Sequence, residues 1–179
     1  MKEIKKRKFE KLEFYIVKEE YIKYLNKYDL HVAYNKDENR PYVGVVLEIG
    51  KMYYFAPLFS PKPQHLNYKE NFTFFKIVND SNDNLGIIKF SSMIPVPIEC
   101  LEKFNLEDKK YGYKRLIQDQ HAQINVTKNK ERIKEKAKQI YDIVTSDSVT
   151  AKARFYKQLS CNYKFLEEKC EEHKLKYLT

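Results

Sequence analysis

Ser60, Lys62 and His65 place a hydroxyl, an ammonium and an imidazole at the end of the apolar run Tyr53–Phe59, in a stretch that Pro57, Pro61 and Pro63 stiffen. Proline fixes its own φ and drives the residue before it toward extended backbone. Ser60 precedes Pro61 and Lys62 precedes Pro63, and residues two apart on an extended chain share a side. The spacing therefore predicts that Ser60 and Lys62 face one pocket and are held still there. Such a pair suits metal-free cleavage of RNA, in which the 2′-hydroxyl attacks the neighbouring phosphate and leaves a 2′,3′-cyclic phosphate and a 5′-hydroxyl. One proton must be taken and another given, a task in which positioned side chains contribute roughly 10²–10⁴-fold. Donors aimed at the phosphate oxygens stabilise the charge that develops. Ser60 can bond a phosphate oxygen or the 2′-hydroxyl, Lys62 can neutralise the phosphorane, and Arg40, Tyr21 and His65 are candidates to complete the set. The plain alternatives are a surface loop at a strand end, a solvated arginine, a core tyrosine and a surface histidine.

The elements that must position these groups fall in two blocks. Leu12–Val17, Tyr42–Ile49, Met52–Leu58, Phe72–Val78 and Leu85–Phe90 read as strands from their β-branched and aromatic content. Gly50-Lys51 marks a hairpin between the second and third of them. Lys18–Tyr28 reads as a helix, with Tyr21, Tyr24, Leu25 and Tyr28 on one face. Asp29–Pro41 is a polar loop closed by Arg40, and Met93–Ile98 is an extended edge, since prolines suit sheet edges. From Asp108 the period changes to helical. Tyr113, Leu116, Ile117, Gln120 and Ile124 form one stripe, and Val126, Ile133, Ala137, Ile140 and Val144 a second, with Lys128 to Lys138 on its outer side. Ser148–Leu159 and Tyr163–Leu178 add two further helices, the last capped by Asn162. The expected class is α+β: a compact, strongly bent antiparallel sheet with an N-terminal helix and several C-terminal helices. Residues 1–11 read as a loose extension and 12–179 as a single domain, sheet-rich over 12–100 and helical over 108–179.

Composition narrows the chemistry. The 179 residues carry a net charge of +9, with 15 Tyr and 11 Phe, so the surface suits polyphosphate with stacked bases. Four glycines and no G-x-x-x-x-G-K or G-x-G-x-x-G argue against phosphate-loop and dinucleotide sites. Cys100, Cys161 and Cys170 are too widely spaced for a zinc motif and fit free thiols in a reducing cytoplasm. Asp37 and Glu38 form one acidic pair, too little for a two-metal nuclease. No metal or other cofactor is therefore expected. No apolar run is long enough to span a membrane, and the basic N-terminus lacks the apolar core of a signal peptide. His121 lies mid-helix on a basic segment and His173 in a charged tail helix, so neither is a site candidate.

Several motifs in fixed order resemble one family, the ToxN/AbiQ toxins of type III toxin–antitoxin systems. The most specific is Ala56-Pro57-Leu58-Phe59-Ser60-Pro61-Lys62, similar to the family's A-P-L-x-S-P-K. Phe14-Tyr15 with Tyr21-Ile22-Lys23-Tyr24-Leu25, the run Val43–Ile49, Met93-Ile94-Pro95, Tyr113-Lys114-Arg115, Cys161-Asn162-Tyr163 and Leu166–Lys169 follow the same pattern. The resemblance implies a sheet core like that of the Kid/MazF toxins and a metal-independent endoribonuclease. Such an enzyme cuts mRNA and the precursor of its own antitoxin. The implied partner is an RNA pseudoknot from tandem repeats, held in a cyclic protein–RNA assembly, in systems that abort phage infection. Carried over by position, the catalytic candidates are Tyr21, Arg40, Ser60 and Lys62. The family often has Lys where Arg40 stands, and Thr where Phe59 stands; Phe59 is instead a candidate to stack on a base. His65 is a supporting candidate. Tyr113, Lys114, Arg115, Lys128 and Arg132, on the basic helices, are candidates to bind RNA, mainly through phosphates. A non-catalytic RNA-binding module and, more distantly, a protein-interaction domain assembled through its tail helices are the competing readings.

Overall fold

The computed structural model describes residues 11–34, 40–107 and 111–177. All but Lys11 of the expected N-terminal extension lies outside these residues, as do Asp37 and Glu38. Seven strands form one antiparallel sheet: β1 (Glu13–Val17), β2 (Tyr42–Ile49), β3 (Met52–Phe59), β4 (Phe74–Val78), β5 (Asn84–Lys89), β6 (Ile94–Pro95) and β7 (Leu101–Lys103). Their order is β4-β5-β3-β2-β1-β7, with β6 alongside β3. The helices are α1 (Glu19–Asn26), α2 (Tyr111–Asn125), α3 (Thr127–Thr145), α4 (Ala151–Leu159) and α5 (Tyr163–Tyr177). The expected sheet-then-helix order is observed, and the sheet is open, ending at β4 and β7.

β2 and β3 are the centre. Every residue from Tyr42 to Leu47 and from Tyr54 to Leu58 is buried, as expected for strands covered on both faces. β3 changes neighbours along its length: Tyr54 and Phe55 pair with Pro95 and Ile94 of β6, whereas Leu58 and Phe59 pair with Ile88 and Ile87 of β5. The Leu58 N–H donates to the Pro41 carbonyl on the β2 side. Alternation then turns Pro57 toward the gap between β6 and β5, where its missing donor costs nothing. Gly44 of β2 sits against the Phe55 ring; an added Cβ would come within 2.0 Å of it, so only glycine fits this crossing.

The helices pack along most of their predicted stripes, with Tyr28 and Val126 exposed where their helices end and begin. Ile133, Ala137, Ile140 and Tyr141 of α3 are buried, at the spacing of one helical face. Glu167 of α5 accepts hydrogen bonds from the Tyr54 hydroxyl at 2.8 Å and the Tyr141 hydroxyl at 2.7 Å, tying β3, α3 and α5 together. The Asn125 side chain exchanges two bonds with the Leu12 backbone and pins the end of α2 to the start of β1. Asn162 accepts from the Phe165 N–H at 3.3 Å, as its capping position predicts. Four features were not anticipated: β7, and the short 3₁₀ turns at Pro63–Asn67, Phe90–Ser92 and Ile98–Cys100.

Candidate nucleic-acid site

β3 ends at Phe59 and delivers Ser60 into solvent. Lys62 is exposed and extended, with φ −135° and ψ 145°, as the following proline requires. Its carbonyl accepts the His65 N–H at 3.0 Å and the Asn84 side-chain amide at 3.1 Å. The loop is thus anchored through its backbone. Among the described residues neither the Ser60 hydroxyl nor the Lys62 ammonium has a partner, so both remain available to a ligand.

Arg40 stands across from this strand end, because Tyr42 pairs with Pro57 and the chain runs antiparallel from there. It is only 8% exposed, and its guanidinium lies 4.0 Å from the centroid of the Phe59 ring. Its Nε donates to the Tyr34 carbonyl at 2.7 Å, which leaves the terminal nitrogens uncommitted by that bond. Burial lowers its pKa, with Tyr42 opposing, but an arginine starts so far above neutrality that it stays a cation. Lys89, at the end of β5, places its ammonium 5.9 Å from the same Phe59 ring. Gly86 permits this close approach of β5: its φ is +133°, and a Cβ there would lie 2.4 Å from the Phe59 carbonyl oxygen.

His65 is not the surface histidine of the plain reading. It is 3% exposed, packs against Tyr68 with ring centroids 5.4 Å apart, and has a buried Nδ1 without a partner among the described residues. Burial first, then the nearby charges of Lys62 and Lys76, push its pKa below the ordinary histidine value, so it is neutral at pH 7.

Tyr21 is not brought to this group. Its ring is fully buried, against His173 at 4.9 Å, and its hydroxyl donates to the Pro95 carbonyl at 2.7 Å. Pro95 pairs with Tyr54, six residues back along β3 from Ser60, or roughly 20 Å at about 3.3 Å per residue. The expectation that this hydroxyl reaches the Ser60 site is corrected accordingly: the stripe of α1 carries it into the core, where a backbone carbonyl accepts its hydrogen bond.

The basic helices divide. Lys128 and Arg115 are exposed, and the Arg132 guanidinium lies 5.6 Å from the Phe75 ring on β4. Tyr113 is half-buried, and Lys114 pairs with Glu107 at 3.3 Å. Lys136 is taken up by structure, donating to the Glu70 carboxylate and to the Asn71 and Phe74 carbonyls. Lys89 and Gly86 were missed from sequence. A glycine inside a strand was the one available signal of close backbone approach. Among the described residues no three His, Cys, Asp or Glu side chains gather as a metal-binding group, and no helix is long and apolar enough to cross a membrane.

The fold is an α+β domain in which a proline-braced strand of an open antiparallel sheet ends in an exposed hydroxyl and ammonium, with a guanidinium stacked on the preceding ring. The sequence pattern described as Toxin ToxN, type III toxin–antitoxin system, matches residues 13–171, and the chain belongs to that family. It is 31% identical to Endoribonuclease ToxN of Bacillus thuringiensis subsp. kurstaki over 167 residues, 90% of this chain and 84% of that protein. It is 31% identical to Endoribonuclease AbiQ of Lactococcus lactis subsp. lactis over 166 residues, 88% of this chain and 87% of that protein. Among solved structures it matches, with a TM-score of 0.82 and 31% identity over 92% of this chain and 99% of the other, a type III toxin studied for its selective inhibition by a non-coding RNA pseudoknot. AbiQ, a lactococcal anti-phage endoribonuclease, also matches at a TM-score of 0.82, with 29% identity over 93% of this chain and 99% of that one.

Proposed function

We propose that this member of an endoribonuclease toxin family cuts single-stranded RNA without a metal ion, both mRNA and the precursor of its own RNA antitoxin. The observation that carries the reading is the pairing of Ser60 and Lys62, exposed and unpartnered, with the buried Arg40 cation across the same strand end. A phosphate seated there meets a hydroxyl donor, an ammonium and a guanidinium. As the 2′-oxygen attacks, negative charge grows on the non-bridging oxygens, and donors already in place stabilise it without reorganising. Lys62 and Arg40 supply the opposing positive charge, while Ser60 fixes the phosphate or the 2′-hydroxyl in line. The products are a 2′,3′-cyclic phosphate and a 5′-hydroxyl. The inhibitor is an RNA pseudoknot that lies along the basic outer faces of α2 and α3, where Arg115, Lys128 and Arg132 meet its phosphates, in a closed assembly of alternating protein and RNA. Release of the toxin in the cytoplasm then stops growth of a phage-infected cell.

The test incubates the purified protein with single-stranded RNA in EDTA and maps product ends. Cleavage with cyclic-phosphate ends is expected. The Ser60→Ala protein is expected to lose at least 10²-fold in rate while binding the antitoxin RNA as before. Folded wild-type protein that binds RNA in a salt-dependent way and yields no products would overturn the enzyme reading in favour of a binding module.

A further inference from the structure

Beside the Ser60 strand end the structure holds a cleft that the cleavage chemistry does not use. Its volume is about 550 Å³, inside the usual range of small-molecule sites, about 300–1,000 Å³. The loop that follows Lys62 forms one wall, with Asn67, Tyr68 and Lys69. Phe74 of β4 and Ile87 and Lys89 of β5 form the floor, and Leu159 at the end of α4 closes the far side. We propose that this cleft seats one unpaired RNA base, that of a nucleotide flanking the cut phosphate.

Three observations converge on that ligand. The apolar lining is aromatic: Tyr68 and Phe74 lie edge to face, with centroids 5.6 Å apart, and Tyr68 also packs against His65. Base–aromatic stacking needs such a surface. The charge is of one sign, since Lys69 and Lys89 line the cleft and no lining residue is acidic. The nearby Glu70 is neutralised by Lys136. The cleft also holds an unspent polar atom: Ser91 is 1% exposed, lines the cleft, and its Oγ has no partner among the described residues. A buried hydroxyl left without a partner costs free energy, so a ligand edge that supplies one gains specificity. Asn71, by contrast, is spent, since its Oδ1 already accepts from the Thr73 N–H and hydroxyl.

Two of the residues lining the cleft lead toward the cleavage site. Lys89 lines it and also reaches the Phe59 ring. Tyr68 lines it and packs on His65, whose N–H bonds the Lys62 carbonyl. A chain crossing Ser60 and Lys62 therefore passes beside residues that border the cleft. Lys136, by holding the Asn71 and Phe74 carbonyls, braces two of the lining residues.

The inference rests on the ribonuclease reading, and the experiment separates the two. Full-length protein cleaves a favoured oligonucleotide and a set in which each nucleotide flanking the cut is replaced in turn by an abasic ribose. Wild type is expected to lose about tenfold or more in kcat/KM at one flanking position. Tyr68→Ala, which removes the stacking face, and Leu159→Trp, which fills the cleft from a 44% exposed position, are expected to lose the same factor on the intact oligonucleotide. Neither should lose anything further on the abasic one. Thermal melting establishes that each variant is folded; the exposed Leu159 position keeps the test open should Tyr68→Ala destabilise the loop. A folded variant that cuts both substrates at wild-type rates, or slows both equally, overturns the base-binding cleft alone. Wild type that cuts no RNA overturns the ribonuclease reading before any variant is made.

Discussion

The guanidinium of Arg40 is stacked at 4.0 Å on the ring of Phe59, the residue immediately before Ser60. Stacking fixes the plane of the cation, and the Nε bond to the Tyr34 carbonyl fixes its rotation. The orientation of the terminal nitrogens is therefore set before any phosphate arrives, which is what an electrostatic clamp requires. Lysine keeps the charge but has neither the planar face nor the fork. Arg40→Lys is expected to lower kcat by about 10–10²-fold with a smaller change in KM, because the lost interaction is strongest as charge develops. Single-turnover cleavage across RNA concentrations checks this. A rise in KM with kcat unchanged would show that Arg40 only binds substrate.

Tyr21 leads to the opposite expectation. Its hydroxyl is consumed by the Pro95 carbonyl inside the core, so Tyr21→Phe leaves that buried oxygen unsatisfied and removes nothing from the Ser60 site. Stability should fall by about 1–2 kcal/mol, while the rate per folded molecule stays within twofold of wild type. Urea unfolding and cleavage assays on the same preparation separate the two effects. Loss of activity at unchanged stability would return Tyr21 to the catalytic group.

What the chain spelled out and what it concealed follows from how local each signal is. The extended backbone at Lys62 was legible because proline acts on the residue beside it. The long helices were legible because Ile133, Ala137 and Ile140 repeat at helical spacing. β7 has three residues, too few for any period to show, and exists because Tyr15, Ile16 and Val17 of β1 offer it an edge. The burial of His65 was hidden for a different reason. A histidine between Gln64 and Leu66, in a proline-rich loop with no strand or helix period, carries no sign of the Tyr68 ring that will cover it. The Tyr21 hydroxyl likewise bonds Pro95, 74 positions away, and no pattern within one helix can report such a partner.

The same buried histidine makes stability depend on pH. His65 has its pKa lowered by burial and by Lys62 and Lys76, and His173 has its own lowered by burial, with Glu20 opposing. In each case the unfolded chain binds a proton more readily than the folded one. Below the unfolded value, near 6.5, protons therefore favour unfolding, and stability rises with pH until the unfolded histidines are neutral. The stabilisation is fully present above about pH 6.5 and is lost as pH falls through the folded values. Urea midpoints measured from pH 5 to pH 7.5 should climb and then level off. His65→Gln should shallow the climb, and an unchanged slope would mean that His65 is already protonated when folded.

Gly86 ties the cleavage site to the cleft beside it, and its replacement tests how tightly the two are held. Its φ of +133° is one that an L side chain rarely adopts, and an added Cβ would meet the Phe59 carbonyl oxygen at 2.4 Å and the Gln120 Nε2 at 3.2 Å. The carbonyl cannot swing away, because Phe59 pairs with Ile87 in the same ladder. Gln120 is also held, through its bond to the Leu85 carbonyl at 2.6 Å. Gly86→Ala must therefore push β5 off β3 at the point from which Ser60 projects. The expected result is a stability loss of about 2–4 kcal/mol, from backbone strain and overpacking together. Cleavage per folded molecule should also fall by at least tenfold, since displacements of about 1 Å cost up to about 10² in rate. Gly50 is a matched control: its φ is +58°, yet nothing lies within 4 Å of an added Cβ and it sits at the far end of β3. Gly50→Asn, suited to that conformation, should leave cleavage unchanged, so a loss shared by both variants would trace to general loosening of the sheet rather than to the β3–β5 contact.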